Sequence, residues 1–258
     1  MKLKFILFGL LMCATLAANT VQVKKCIGEC TLANVTPEAA KLKALEAAKV
    51  NALEKAGVEQ TINVAATLQK EEVNTIVRDV FAQFSSMEMR GGIVDYTIIS
   101  DTILYRLGTP VCRVEIDATV KKYQKAPNRL LQIKVEGMKE VYNSGDAVTF
   151  DVTSVYDGYL KIFLLDDNEE AALIFPNEHE KLFPFEEGKT VHYPTNGNIT
   201  YETTKDAGKE LEHNYWVFVF TRENIPFIQD VTYKNILNWI YAMEPDQRVV
   251  EFRDLIIR

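Results

Sequence analysis

The sequence predicts an α+β fold, with N-terminal helices packed on an antiparallel sheet, then a mainly-β, sandwich-like domain with one C-terminal helix. Three observations predict it. An alanine-rich helical stretch, Ala39 to Ala56, sits between strand-like segments. From Leu130 onward, short alternating apolar runs are separated by turns carrying Gly, Asn, Asp or Pro. Helical spacing then returns at Tyr233 to Met243.

The chain opens with Met1-Lys2-Leu3-Lys4, the apolar run Phe5 to Ala14, and then small residues. That layout is a secretory signal peptide over 1–18, cut after Ala17 or Ala18. The run falls short of the roughly 20 apolar residues that span a bilayer. Cys13 leaves a second ending open. Leu10-Leu11-Met12-Cys13 has the leucine and cysteine of a lipoprotein signal, although Met12 is large for it, and an acyl chain at Cys13 would anchor the protein to a membrane. Cleavage removes Lys2 and Lys4, leaving 27 basic against 36 acidic residues and a charge of −9. An acidic surface argues against nucleic acid as a partner, since phosphate contacts need clustered Lys and Arg.

A first domain is expected over 20–125. Thr20 to Cys30 reads as a strand. Thr36 then caps a helix with Pro37 at its first position, and Gly57 ends it. Leu42, Leu45, Ala48, Ala52 and Leu53 form its apolar spacing. A second helix is expected from about Glu71 to Phe84, with Val73, Ile76, Val77, Val80, Phe81 and Phe84 on one face. Strands at Gly92 to Tyr105 and Val111 to Tyr123 flank a hairpin turn at Leu107-Gly108-Thr109-Pro110.

The pattern changes near Tyr123 to Asn128, and a second domain is expected over 128–258. Strands are read near Leu130 to Val135, Ala147 to Val155, Tyr159 to Leu165, Leu173 to Phe175, Thr190 to Tyr193, Ile199 to Thr203 and Tyr215 to Thr221. The helix at Tyr233 to Met243 and a last strand at Arg248 to Ile257 complete the chain.

No catalytic constellation stands out. None of the serines after the leader sits in a Gly-x-Ser-x-Gly elbow. Ser144 reads as turn chemistry. The carboxylate pairs Asp166-Asp167, Glu169-Glu170 and Glu186-Glu187 read as solvated turns, and the first two lack EF-hand spacing. The glycines form no phosphate loop. Neither a metal nor any cofactor is called for. Aromatic residues cluster in the β-rich half, at Phe175, Phe183, Phe185, Tyr193 and Tyr215 to Phe220. Exposed, they would make a binding surface, but the alternation of the last run fits a strand buried on both sides.

Cys26, Cys30 and Cys112 remain after the leader, an odd number in a chain expected to meet an oxidising compartment. Cys112 is open to a link with either Cys26 or Cys30.

Tyr142-Asn143-Ser144-Gly145-Asp146, Val148-Thr149-Phe150, Asp157-Gly158-Tyr159-Leu160 and Leu173-Ile174-Phe175-Pro176-Asn177 occur in that order. Together they resemble the bacterial domain of unknown function family 4384, over about Leu130 to Thr221. The resemblance implies a sandwich-like accessory domain of envelope and signalling proteins without established catalysis. It marks Gly145, Asp146, Asp157, Gly158, Tyr159, Phe175, Pro176 and Asn177 as motif residues. Physically, the two glycines permit tight turns, the two aspartates cap them, and Tyr159 and Phe175 pack inside. The N-terminal half is similar, less specifically, to the small α+β domain of flagellar assembly protein T and related outer-membrane lipoproteins. Its carriers are Ala52 to Gly57, Gly91 to Tyr96 and Val114 to Val120.

These readings give an exported protein of the periplasm or cell surface that binds protein or glycan partners without catalysis. A secreted hydrolase of wall or glycan material is the alternative, and the oligomeric state is left open.

Overall fold

A computed structural model describes residues 19–33, 35–58, 90–166 and 170–258. The expected signal peptide and the helix expected at 71–84 lie outside the described residues.

Strand β1 (Thr20–Thr31) leads into helix α1 (Pro37–Lys55), then β2 (Gly91–Arg106) and β3 (Thr109–Lys122). β3 is the middle strand of an antiparallel sheet, ordered β1-β3-β2. As the sequence indicates, Thr36 caps α1 by accepting from the Ala39 N–H at 3.2 Å, and Gly57 follows the helix with φ +72°. The packing face differs from the expectation. Ala40, Ala44, Ala48 and Ala52 are fully buried, while Leu42, Leu45 and Leu53 are only partly so. The cause is Gly28 on β1: a Cβ there would lie 2.0 Å from the Ala44 carbonyl oxygen and 2.2 Å from the Ala48 nitrogen. Backbones this close admit only small side chains.

The rest of the chain supplies β4 (Ile133–Glu136), β5 (Val141–Tyr142), β6 (Ala147–Val148), β7 (Phe150–Ser154), β8 (Tyr159–Asp166), β9 (Ala171–Phe175), β10 (Thr190–Tyr193), β11 (Tyr201–Glu202), β12 (Glu212–Thr221), α2 (Tyr233–Ala242) and β13 (Arg248–Ile257). One sheet runs β5-β13-β12-β8-β9, a second β10-β7-β4, and β11 pairs with β6. The five-stranded sheet is a middle layer. Leu160, Ile162, Trp216, Phe218, Phe220 and Leu255 meet Ile133, Val135, Phe150, Val152 and Tyr193 on one side. Phe163, Leu165, Tyr215, Val217 and Val219 meet Ile236, Leu237, Trp239 and Ile240 of α2 on the other. The alternation of Tyr215 to Phe220 thus serves two cores, and those six side chains are buried. At about 25 cal/mol per Å² of apolar surface, this doubly covered strand anchors the half of the chain around it.

The predicted fold class is corrected by these facts. The described chain is mostly β, 47 % strand against 16 % helix, in several sheets with two α-helices. In place of a set of N-terminal helices on a sheet, the described N-terminal residues hold the single helix α1. The second α-helix, α2, covers the central five-stranded sheet and also reaches the first one. Lys121 Nζ donates to Ala242 O at 2.5 Å, Tyr123 Oη to Tyr241 O at 2.9 Å, and Lys234 Nζ to Tyr96 O at 2.6 Å.

Candidate functional site

The motif residues are structural linchpins around the sandwich. Gly145, at φ +91°, makes the turn before β6. Asp146 closes that turn by accepting from the Asn143 N–H at 2.8 Å, and Thr203 clasps it through its hydroxyl to Asn143 O at 2.8 Å. Gly158 has a different reason to be glycine. Its φ is not left-handed, but a Cβ would lie 2.4 Å from Phe220 Cζ and 2.5 Å from Thr221 O. Beside it, Asp157 accepts from the Glu187 N–H at 2.7 Å. Phe175 is fully buried, whereas Tyr159 is only half-buried.

Pro176 follows Phe175 through a cis peptide bond, and Asn177 then folds the chain back on itself. Its Oδ1 accepts from the N–H groups of His179 and Glu180, both at 2.8 Å, and its Nδ2 donates to Ile174 O at 2.7 Å. This places Glu180, which the sequence reading did not single out, at the centre of a buried knot. Its carboxylate accepts from the hydroxyls of Thr195 (2.7 Å) and Tyr201, the Thr195 N–H (2.5 Å) and Asn177 Nδ2 (3.2 Å). Burial pushes its pKa up, but these hydrogen bonds outweigh that and hold it below the ordinary carboxylate value. A carboxylate so fully engaged fixes three loop segments and has little accepting capacity left for a substrate. An Asn with a Glu three residues later after Phe-Pro is the sequence signal that marks it.

Burial takes the other aromatics out of contention as a surface. Phe175, Phe183, Phe185, Phe220, Phe150 and Tyr193 form a chain of ring contacts with centroids 5.1–5.8 Å apart where they stack or meet edge to face. Of the carboxylate pairs, Asp166 accepts from the Glu170 N–H at 2.8 Å and Glu186 pairs with Lys189; Asp167 and Glu169 lie outside the described residues. No cluster of His, Cys, Asp or Glu fit for a metal occurs among the described residues. Lys161 is 5 % exposed on β8; its ammonium donates to Ile225 O at 2.8 Å and lies 5.5 Å from the Trp239 ring centroid. Burial lowers its pKa.

Exposed apolar surface collects elsewhere, on the β2–β3 hairpin. Among the described residues β2 is an edge strand of its sheet, and Ile98, Ile99, Ile103 and Tyr105 on it are all exposed, Tyr105 at 76 %. The hairpin turns through two left-handed residues, Leu107 (φ +48°) and Gly108 (φ +82°). Leu107 is fully exposed. A leucine there is unfavourable twice, in backbone conformation and in solvent contact. The charges of this arm are engaged within the chain. Asp101 pairs with Lys41, and Arg106 with Glu29 at 2.7 Å. What it offers outward is aliphatic and aromatic.

Among the described residues Cys26, Cys30 and Cys112 stand unbridged in this structure, and burial raises the pKa of each thiol. Cys30 stands opposite Cys112 across β1 and β3, whereas Cys26 stands opposite Ile116.

Compared with known families, residues 141–212 match the family described as Domain of unknown function (DUF4384). The match covers every motif residue named above and stops short of the N-terminal half. No curated protein matches the chain.

Proposed function

We propose that this is an exported cell-envelope protein that acts without catalysis as a binding or assembly module, and that it docks a protein partner through the β2–β3 arm. The observation that carries the reading is the arm itself: a long edge strand with exposed Ile98, Ile103 and Tyr105, tipped by Leu107 in a strained, fully exposed position. Among the described residues no strand pairs with the outer side of β2, and an edge with apolar side chains is a liability unless a partner covers it. Edge pairing gives such a partner main-chain hydrogen bonds, and the side chains give it specificity. The chemistry suits an apolar protein surface better than a glycan, whose hydroxyls need polar groups. Export is supported by the leader-like residues 1–18, and an assembly role by the N-terminal resemblance to the small domain of flagellar assembly protein T. No helix among the described residues is long and apolar enough to cross a membrane.

The test is a photo-crosslinking side chain placed at Tyr105, with a control at His192 on the sandwich, in cells carrying the full chain. A discrete adduct from position 105 alone is expected. Leu107→Asn should raise stability by about 1 kcal/mol, since Asn tolerates the left-handed turn, while reducing that adduct at least about tenfold. Equal labelling from both positions, or no adduct from either in folded protein, overturns the reading.

A further inference from the structure

We infer that Cys30 and Cys112 are the sites of a cross-strand cystine that ties β1 to β3, leaving Cys26 as the unpaired thiol. The sequence allowed Cys112 either partner, and the register chooses between them. β1 pairs antiparallel with β3, with Cys30↔Cys112, Gly28↔Val114 and Cys26↔Ile116 directly opposed. A bulge between Val23 and Cys26 sets that alignment. Directly opposed residues share a face, and here it is the one beneath α1, where Cys112 and Cys26 belong to the core and Cys30 packs against it.

The backbone register permits the bond. Leu32 N–H donates to Pro110 O at 2.9 Å, whereas Ile27 N–H turns away to Asn51 Oδ1 at 3.2 Å. The even-numbered residues here therefore face β3, and Cys30–Cys112 is a hydrogen-bonded pair. Such a pair holds its Cα atoms about 5.5 Å apart, inside the range that disulfides bridge. Opposed Cβ atoms in a sheet stand about 4.5–5.5 Å apart, so forming the bond draws them in to about 3.8 Å. Cys26 lies four residues along the same strand from Cys30, beyond the roughly 7 Å limit for a bridge without backbone movement.

The thiols differ in access, which orders the chemistry. Cys30 is half-buried and Cys112 buried. The Cys30 thiolate attacks the disulfide of an exchange partner, a protein or low-molecular-weight disulfide, and expels one thiol. The Cys112 thiolate then attacks the Cys30 sulfur of this mixed disulfide and expels the second. Two protons and two electrons leave the pair, and the partner's disulfide is reduced to two thiols.

The test uses the full chain after the leader, oxidised with glutathione disulfide at mildly alkaline pH, alkylated, digested and mapped without reduction. A peptide linking Cys30 to Cys112 is expected, with Cys26 alkylated once the protein is unfolded. The bond closes a loop of roughly 80 residues, so oxidation should raise the Tm by about 5–10 °C, reversed by reductant. Cys30→Ser, at the half-exposed position, should keep its fold by circular dichroism and lose both the link and the shift. A link that contains Cys26, or Cys30 and Cys112 both alkylated after oxidation of the folded protein, overturns the assignment.

Discussion

Gly92 lies directly against the ring of Tyr241: a Cβ at position 92 would stand 2.0 Å from Tyr241 Cδ1 and 2.8 Å from the Tyr123 hydroxyl. This contact lets α2 close on β2 while its other side covers the central sheet.

Gly92→Ala should therefore destabilise the protein by about 2 kcal/mol through overpacking. In a Tyr241→Ala background the same change should cost clearly less, because the clash is gone. Denaturant unfolding of the four proteins of that cycle measures it; equal costs in both backgrounds would remove Tyr241 as the cause.

Glu180→Gln should cost about 2–3 kcal/mol at neutral pH, since charge-assisted hydrogen bonds from Tyr201, Thr195 and Asn177 are weakened together. The folded pKa of Glu180 is lowered, so below the unfolded value of 4.5 the unfolded chain binds more protons than the fold. The stabilisation is complete above that pH and is lost as pH falls through the lower folded value. Unfolding free energies of the two proteins should converge in acid, and a gap unchanged there would refute the charge argument.

The two motif glycines should fail for different reasons. Gly158→Ala meets Phe220 and the Thr221 carbonyl and should cost about 3 kcal/mol. Gly145→Ala has room, its nearest neighbour being Glu202 Oε1 at 3.8 Å, and should cost only about 1 kcal/mol for its left-handed φ. Thermal unfolding ranks them, and Gly145→Asn should recover part of the smaller loss.

Lys161→Met should stabilise the protein at neutral pH by about 1 kcal/mol, because burial penalises the ammonium and Met fills similar space. The folded pKa is lowered from 10.5, so between that lower value and 10.5 the unfolded chain holds more protons and wild-type stability rises with pH. The advantage of Met should fade across this window. An advantage constant up to high pH would point to packing instead.

Much of the β-rich half was legible because local signals and tertiary placement agree. Thr190 to Tyr193 and Arg248 to Ile257 are strands at the boundaries their alternation implies. Thr36, Pro37 and Gly57 mark the limits of α1 because capping is a property of a few neighbouring residues. Packing partners were not legible. Nothing local says that Gly28 lies under Ala44 and Ala48, so the leucines of α1 looked like its buried face. Nor does the alternation of Gly92 to Tyr105 show that, among the described residues, this strand lies at an edge. Glu180 was missed because its partners come from Asn177, Thr195 and Tyr201, brought together by the chain's return.

The central position of β12 bears on where the molecule can be cut. The family match ends at Glu212, the first residue of β12, and so leaves out both β12 and β13. Strand β8 hydrogen-bonds β12 along its length and packs its apolar residues on both sides of the sheet that β12 completes. An excised 141–212 segment would keep the recognisable motifs and present β8 as a bare apolar edge. The stretch the family pattern matches is thus shorter than the sheet it belongs to, which is completed only at Ile257.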